Sequence, residues 1–304
     1  MTTHLELRTA LSQFADYLGS RRRAKATVVA YHKDIEQLIT FLENMGKKTV
    51  GEVSRDELEA FTKKLGSDNY KAKSISRKIN SIKTFFRFLK SSEGVNVDPA
   101  VEIEHPKYDV KPPRILTKLE YRALRDACRG DIRTYAIVEL FLQTGVRIGE
   151  LANLSVDDVG ETELHIAQEE GHAERMVPLN KAAKEAVSRY MGIRAGGNPS
   201  TSFDKTQDKS SGQVKSTALF ITKTGKSLLI RNIRTAIDRF FKVAGIEDAK
   251  VNDLRHTFIA HHLMAGTPIT TLSKLVGHKR LSTTEKYLEF VKGLPSERVK
   301  LEEL

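Results

Sequence analysis

Apolar side chains recur at every third or fourth position through the first hundred residues, the spacing that lays one stripe along a helix. Leu7, Leu11, Phe14 and Leu18 form one stripe, and Val28, Tyr31, Ile35, Leu38, Leu42 and Met45 form a second, entered at Thr27. Ser54 with Glu57 reads as a capping box opening a third helix that runs to about Leu65, ahead of Gly66. Ile75, Ile79, Ile82, Phe85, Phe86 and Leu89 make the fourth. No segment alternates with period two, so residues 1–104 are expected to form a small all-helical domain. Pro106, Pro112 and Pro113 then lack backbone donors and hold their predecessors out of helix, which makes 105–114 an extended linker.

A second domain is expected over 115–304, its first helix capped by Thr117 and Glu120. The pattern predicts helices at about 117–129, 132–144, 148–154, 180–191, 231–244, 253–265, 269–276 and 283–290. Strands are predicted at about 163–167 and 175–179, with a further short one at Ala218–Ile221. Residues 192–216, rich in Gly, Ser, Thr, Asp and Lys, read as a mobile surface loop, and 291–304 as a C-terminal tail. The expected fold class is mostly α with a small β-hairpin.

Charge narrows the partners. The chain of 304 residues carries a net +11, which points to a polyanion. The excess is uneven: within 70–92 stand Lys71, Lys73, Arg77, Lys78, Lys83, Arg87 and Lys90, and no acid. A mixed-sign run would be an ordinary solvated helix face. A one-sign run repels itself unless a polyanion lies against it, so these cations are expected to touch a nucleic-acid backbone. A lone cysteine, Cys128, excludes a disulfide framework and points to a reducing, cytoplasmic setting. No apolar run is long enough to span a membrane.

The second domain lacks a GxxxxGK[ST] loop and any His, Cys and acid cluster at ligand spacing, so neither ATP nor a metal is expected as a cofactor. Phosphoryl chemistry without them needs guanidinium groups, whose donor forks match two phosphate oxygens at once. Arg147 in TGVRIGEL opens one helix and Arg255 in DLRHTF stands near the start of another. Taken singly, either is more often a surface or salt-bridging arginine than a catalytic one, and Glu150 could simply pair with Arg147. His278 and Tyr287 follow in LVGHKRLSTTEKY.

In this order the three segments resemble the boxes of the tyrosine recombinase (phage integrase) family, in its Xer-type and short integrase subgroup. The resemblance covers nearly the whole chain. It implies a SAM-like core-binding domain in front of an α+β catalytic domain, and a site-specific DNA recombinase or integrase. It further implies that Tyr287 attacks the scissile phosphate to give a 3′-phosphotyrosyl bond, with Arg147 and Arg255 on the non-bridging oxygens. His278 would be a further donor and Glu150 an orienting group. The implied assembly is a monomer in solution that becomes a homotetramer on two copies of a specific site, exchanging strands through a Holliday junction. Leu294, Val299 and Leu301 in the tail are available either to dock on a neighbouring protomer or to pack on their own domain.

Two positions depart from the family pattern. The lysine expected near the hairpin tip is Glu170, and 154–180 contain no lysine. The histidine three before the second-box arginine is Asn252, which can donate to a phosphate but cannot shuttle a proton. His172 at the hairpin tip is the candidate general acid, with Lys223 behind it, and an exposed turn histidine is the competing reading. Glu170 would repel a phosphate, so the hairpin is expected to stay out of the pocket until assembly. The rival functions are a catalytically impaired DNA-binding accessory protein and a topoisomerase-like relaxing enzyme.

Overall fold

The computed structural model describes residues 4–21, 25–92, 95–109, 111–169, 172–195 and 217–292. The chain divides into two compact units, Met1–Lys111 and Pro112–Leu304.

The first unit is built from α1 (Leu7–Ser20), α2 (Lys25–Asn44), α3 (Arg55–Ser67) and α4 (Ala72–Ser91). Their apolar stripes meet in one core, in which Phe14, Ile35, Leu38, Phe61, Phe85 and Phe86 are fully buried. The capping box at α3 closes as its sequence requires: Ser54 Oγ accepts from the Asp56 amide, and Glu57 accepts from the Ser54 amide at 2.8 Å.

The basic helix α4 is not the unbroken row of free cations that its sequence alone suggests. Asp34 on α2, only 2% exposed, accepts from Arg77, from Lys78 Nζ at 2.9 Å and from Ser81 Oγ at 2.8 Å. Lys78 is itself buried, with Gln37 taking a further bond at 2.7 Å. Lys78 therefore leaves the list of exposed DNA-contact candidates, because a buried ammonium already paired with a carboxylate has no face left for a phosphate. Lys83 is half-buried and donates to the Val101 carbonyl at 3.1 Å. Lys71, Lys73, Arg77 and Arg87 remain exposed, although Arg77 keeps its pair with Asp34.

The second unit comprises α5 (Lys118–Cys128), α6 (Ile132–Thr144), α7 (Ile148–Asn153), β1 (Glu163–Ile166), β2 (Arg175–Pro178), α8 (Lys181–Ala195), α9 (Ile230–Val243), α10 (Val251–Met264), α11 (Ile269–Leu275) and α12 (Leu281–Val291). From Ala136 to Thr144 every residue of α6 is buried, the mark of a central helix packed on all sides. It lies against α5, α8, α9 and α10. β1 and β2 pair antiparallel, with Ile166 opposite Arg175.

Three expectations change. Ala218–Ile221 makes only isolated bridges, Ser155 to Ala218 and Ile221 to Ser227, because the chain turns back at Gly225 before a ladder can extend. α8 continues through Ala195, so the start of the expected loop at 192 is helical, and 196–216 lie outside the described residues. α10 starts at Val251, two residues early, because the Asp253 carboxylate reaches back to the Lys250 amide at 2.7 Å. Glu170 and the tail from 293 onward also lie outside the described residues.

Candidate active site

Helix ends position the reactive side chains. α6 stops at Gly145, whose φ of 60° is left-handed and where a Cβ would overlap the Phe258 ring. The chain then turns straight into α7, with Arg147 as the residue before its first turn. Glu150 caps that turn by accepting from the Arg147 amide at 2.8 Å, and its other oxygen accepts from Arg147 Nη1 at 2.7 Å.

Glu150 has a second cationic partner. Arg175, the first residue of β2, grips both its oxygens at 2.8 Å and is 8% exposed. Burial by itself would raise the Glu150 carboxyl, but the hydrogen bonds from Arg175 and the Arg147 amide outweigh it and hold the group at about 2. It is ionised at neutral pH.

Three arginines end on three successive carbonyls at the close of α11. Arg175 Nε donates to Leu275 at 2.9 Å, Arg255 Nη2 to Val276 at 2.7 Å and Arg147 Nη2 to Gly277 at 2.5 Å. The other end of the Arg255 guanidinium donates to the Gly145 carbonyl. A helix C-terminus presents its unpaired carbonyls to cations, so α11 collects groups that would otherwise repel one another. Gly277 is required here: its φ is 64°, and a Cβ would lie 2.8 Å from Arg175 Nη1 and 3.2 Å from Arg147 Nη1. Three guanidiniums facing one carboxylate leave a cationic surplus. Burial, then the neighbouring Arg147, pulls Arg255 down to about 9, so it stays charged at neutral pH.

Tyr287 on α12 is 8% exposed and packs with Phe258, Ile259, Leu272 and Val276. Burial raises its phenol, while the Arg255 charge opposes that rise. The His278 ring stacks 6.3 Å from the phenol ring, and its Nδ1 meets Thr284 Oγ1 at 2.8 Å. Burial, then Arg255 and Arg147, lowers His278 to about 4, which leaves it neutral.

Two residues of the cluster escaped sequence reasoning. Arg175 stands in the ERMVPL stretch, and its place opposite Ile166 in the hairpin is what turns it toward Glu150. His256 follows Arg255 directly, and its Nδ1 lies 2.6 Å from the Tyr287 phenol oxygen. Asn252 is exposed one turn earlier on α10, with Nδ2 2.7 Å from His256 Nε2.

The residues flanking the hairpin turn are tied to α7: Asn153 Nδ2 donates to Glu169, and Glu169 bridges to His172, while Glu170, on which the expected withdrawal rested, lies outside the described residues. His172 is half-buried, and its Nδ1 is buried without a hydrogen-bond partner among the described residues. Burial, then Arg147, lowers its pKa, so it shares the field of the arginine cluster. Lys223 instead lines a cavity with Arg133, Thr134 and Asn232, which holds none of the cluster residues. Among the described residues no group of three His, Cys, Asp or Glu could hold a metal ion, and no helix is long and apolar enough to cross a membrane.

Comparison with known proteins adds three findings. Residues 114–292 match the Phage integrase family, and residues 11–93 match the Phage integrase N-terminal SAM-like domain. The chain is 31% identical over 282 residues to Tyrosine recombinase XerC of Roseiflexus castenholzii, covering 90% of this chain and 86% of that protein. It is 29% identical to Tyrosine recombinase XerD of Bifidobacterium longum, covering 90% of each. Among solved structures, a lambda integrase tetramer bound to a Holliday junction superposes with a TM-score of 0.74 at 17% identity, covering 98% of this chain and 81% of that one.

Proposed function

Because the chain belongs to the phage integrase family and is a tyrosine-type site-specific recombinase, we propose that the cluster around α11 is its cleavage site and Tyr287 its nucleophile. The observation that carries this reading is the convergence of Arg147, Arg175 and Arg255 on consecutive carbonyls beside the phenol, with the Glu150 carboxylate holding two of them. Such a surplus of fixed positive charge suits a phosphodiester, whose negative charge grows as a nucleophile adds.

The scissile phosphate sits against Arg147 and Arg255, with His278 as a third donor. Glu150 and Arg175 hold Arg147 in place. The phenol oxygen bonds to phosphorus as the bond to the 5′-oxygen breaks, and that oxygen takes a proton. The phosphotyrosyl bond keeps the energy for rejoining, so the exchange needs no ATP. His172 is the candidate donor of that proton: its Nδ1, buried without a partner among the described residues, supports the role, and the bound phosphate has to offset the burial and the Arg147 charge that disfavour its protonated form. Lys71, Lys73, Arg77 and Arg87 bind flanking DNA. The partner is double-stranded DNA carrying a specific site, and the working assembly is a homotetramer on a Holliday junction, as in the lambda integrase complex.

The second reading, an accessory DNA-binding protein with impaired chemistry, draws on Asn252 in place of the family histidine and on the lack of lysine in 154–180. One experiment separates them. With nicked suicide DNA taken from the gene's own flanking region, the wild type forms a covalent protein–DNA adduct and Tyr287→Phe forms none. DNA binding without any adduct from the wild type favours the accessory role.

A further inference from the structure

His256 is absent from the roles assigned above, yet its ring is hydrogen-bonded to the oxygen of the reacting phenol. Its Nδ1 lies 2.6 Å from Tyr287 Oη, with the two rings 5.7 Å apart. The groups facing the phenol are Arg255 and His256 from α10 and His278 from the turn before α12.

Which way that hydrogen bond runs follows from the other end of the ring. A neutral imidazole carries a single N–H. The Asn252 amide nitrogen stands 2.7 Å from Nε2, and an amide nitrogen only donates. Nε2 therefore accepts, the ring proton sits on Nδ1, and Nδ1–H points at the phenol oxygen. Burial, with the Arg255 charge beside it, lowers His256 to about 4 and keeps the ring in this neutral form at working pH.

We propose that His256 is a catalytic residue, the hydrogen-bond donor that stabilises the Tyr287 phenolate, and that Asn252 is a positioning residue that fixes its tautomer. This assignment rests on the reading of Tyr287 as nucleophile. In cleavage the phenol gives its proton to water, Nδ1–H keeps the phenolate oriented, and its oxygen bonds to phosphorus as the bond to the 5′-oxygen breaks and that oxygen takes a proton. In rejoining, the 5′-hydroxyl gives up its proton as its oxygen bonds to phosphorus, the phosphotyrosyl bond breaks, and the departing phenolate receives the same hydrogen bond until it takes a proton from water. Donors aimed at an oxyanion in a water-poor site carry large rate effects, about 10²–10³-fold for one bond. The departure at Asn252 thus has a use: the imidazole stands one turn further along α10, at the phenol rather than at the phosphate.

The test has two arms, one independent of DNA. NMR titration of ring-labelled tyrosine follows the Tyr287 phenol in the wild type and in His256→Ala and His256→Gln. Its midpoint moves up by one pH unit or more in the alanine variant, and the glutamine variant, which retains a neutral donor, restores part of the shift. A midpoint that stays put or moves down overturns the assignment. The second arm measures single-turnover adduct formation on nicked DNA from pH 7 to 9.5. His256→Ala is slower by about 10²-fold at pH 7 and its rate still rises with pH at 9.5, because its phenol titrates above that range, whereas His256→Gln recovers at least tenfold of the loss. A glutamine variant as slow as the alanine one marks a structural role and contradicts the proposal. Asn252→Leu shows a smaller loss and adds nothing in the His256→Ala background. An additive loss there would mean that Asn252 acts on the phosphate directly. If the wild type forms no adduct although its Tyr287 midpoint depends on His256, the nucleophile reading fails while the hydrogen bond stands.

Discussion

Single residues in the site are held by backbone geometry as much as by side-chain charge. Gly277 shows this most sharply, since its left-handed φ and the two guanidiniums crowding it leave no room for a methyl group. Gly277→Ala is expected to cost more than about 1 kcal/mol of stability from the backbone alone. It should also displace Arg147 and Arg175 and reduce adduct formation by at least about tenfold, a transition-state loss of roughly 1.4 kcal/mol. DNA affinity measured by fluorescence anisotropy should change little, because the cations of α4 are untouched. Normal cleavage by this variant would show that the α11 carbonyls are not what aims the arginines. At this scale the sequence was legible where a side chain sits at a helix end, as with Arg147 after Gly145 and Thr117 with Glu120 capping α5. It was silent about His256, whose partner Tyr287 lies on another helix. The available signal was its i,i+4 relation to Asn252, which puts both on one side of α10.

Whole elements were readable in proportion to their regularity. Long amphipathic helices and the β1–β2 hairpin announce themselves by period, whereas Ala218–Ile221 carries an apolar run without the ladder that would make it a strand. Helix α4 illustrates the limit of reading charge along one segment. Its lysines and arginines look alike in sequence, but Asp34, more than forty positions earlier, buries one of them and engages another. The two kinds should behave differently. Lys73→Ala is expected to flatten the salt dependence of DNA binding by about one unit of log–log slope, with little effect on stability. Lys78→Ala leaves the Asp34 carboxylate short of a partner in a buried setting, and should destabilise the first unit by about 3–5 kcal/mol while leaving the salt slope alone. Denaturant unfolding alongside a salt titration of affinity reads both. A slope change for Lys78→Ala would return it to the DNA-contact surface.

Across the molecule, the same burial that builds the site makes its stability depend on acid. His256 and His278 both stand at about 4, below the ordinary histidine value of 6.5. A histidine whose pKa is lowered on folding binds its proton more readily when unfolded. The stability tied to its neutral form is therefore complete above pH 6.5 and is lost as pH falls from 6.5 toward 4. Glu150, held at about 2 against an ordinary 4.5, continues the loss from 4.5 downward. Chemical denaturation at pH 7 and pH 4.5 should show a drop on the order of 2–4 kcal/mol in the second unit, halved or better by combining His256→Gln with His278→Gln. An undiminished drop in the double variant would place the acid sensitivity elsewhere.

These scales meet in one claim, that a phenol, an imidazole and guanidinium groups carried by separate elements act on one phosphorus atom. The most direct measurement is the mass of the peptide that carries DNA. After the wild type is trapped on nicked suicide DNA and digested with nuclease and trypsin, the nucleotide is predicted on the peptide spanning residues 287–292, which begins at Tyr287 after the cut at Lys286. A nucleotide attached to any other peptide, or an adduct that survives Tyr287→Phe, would contradict the account.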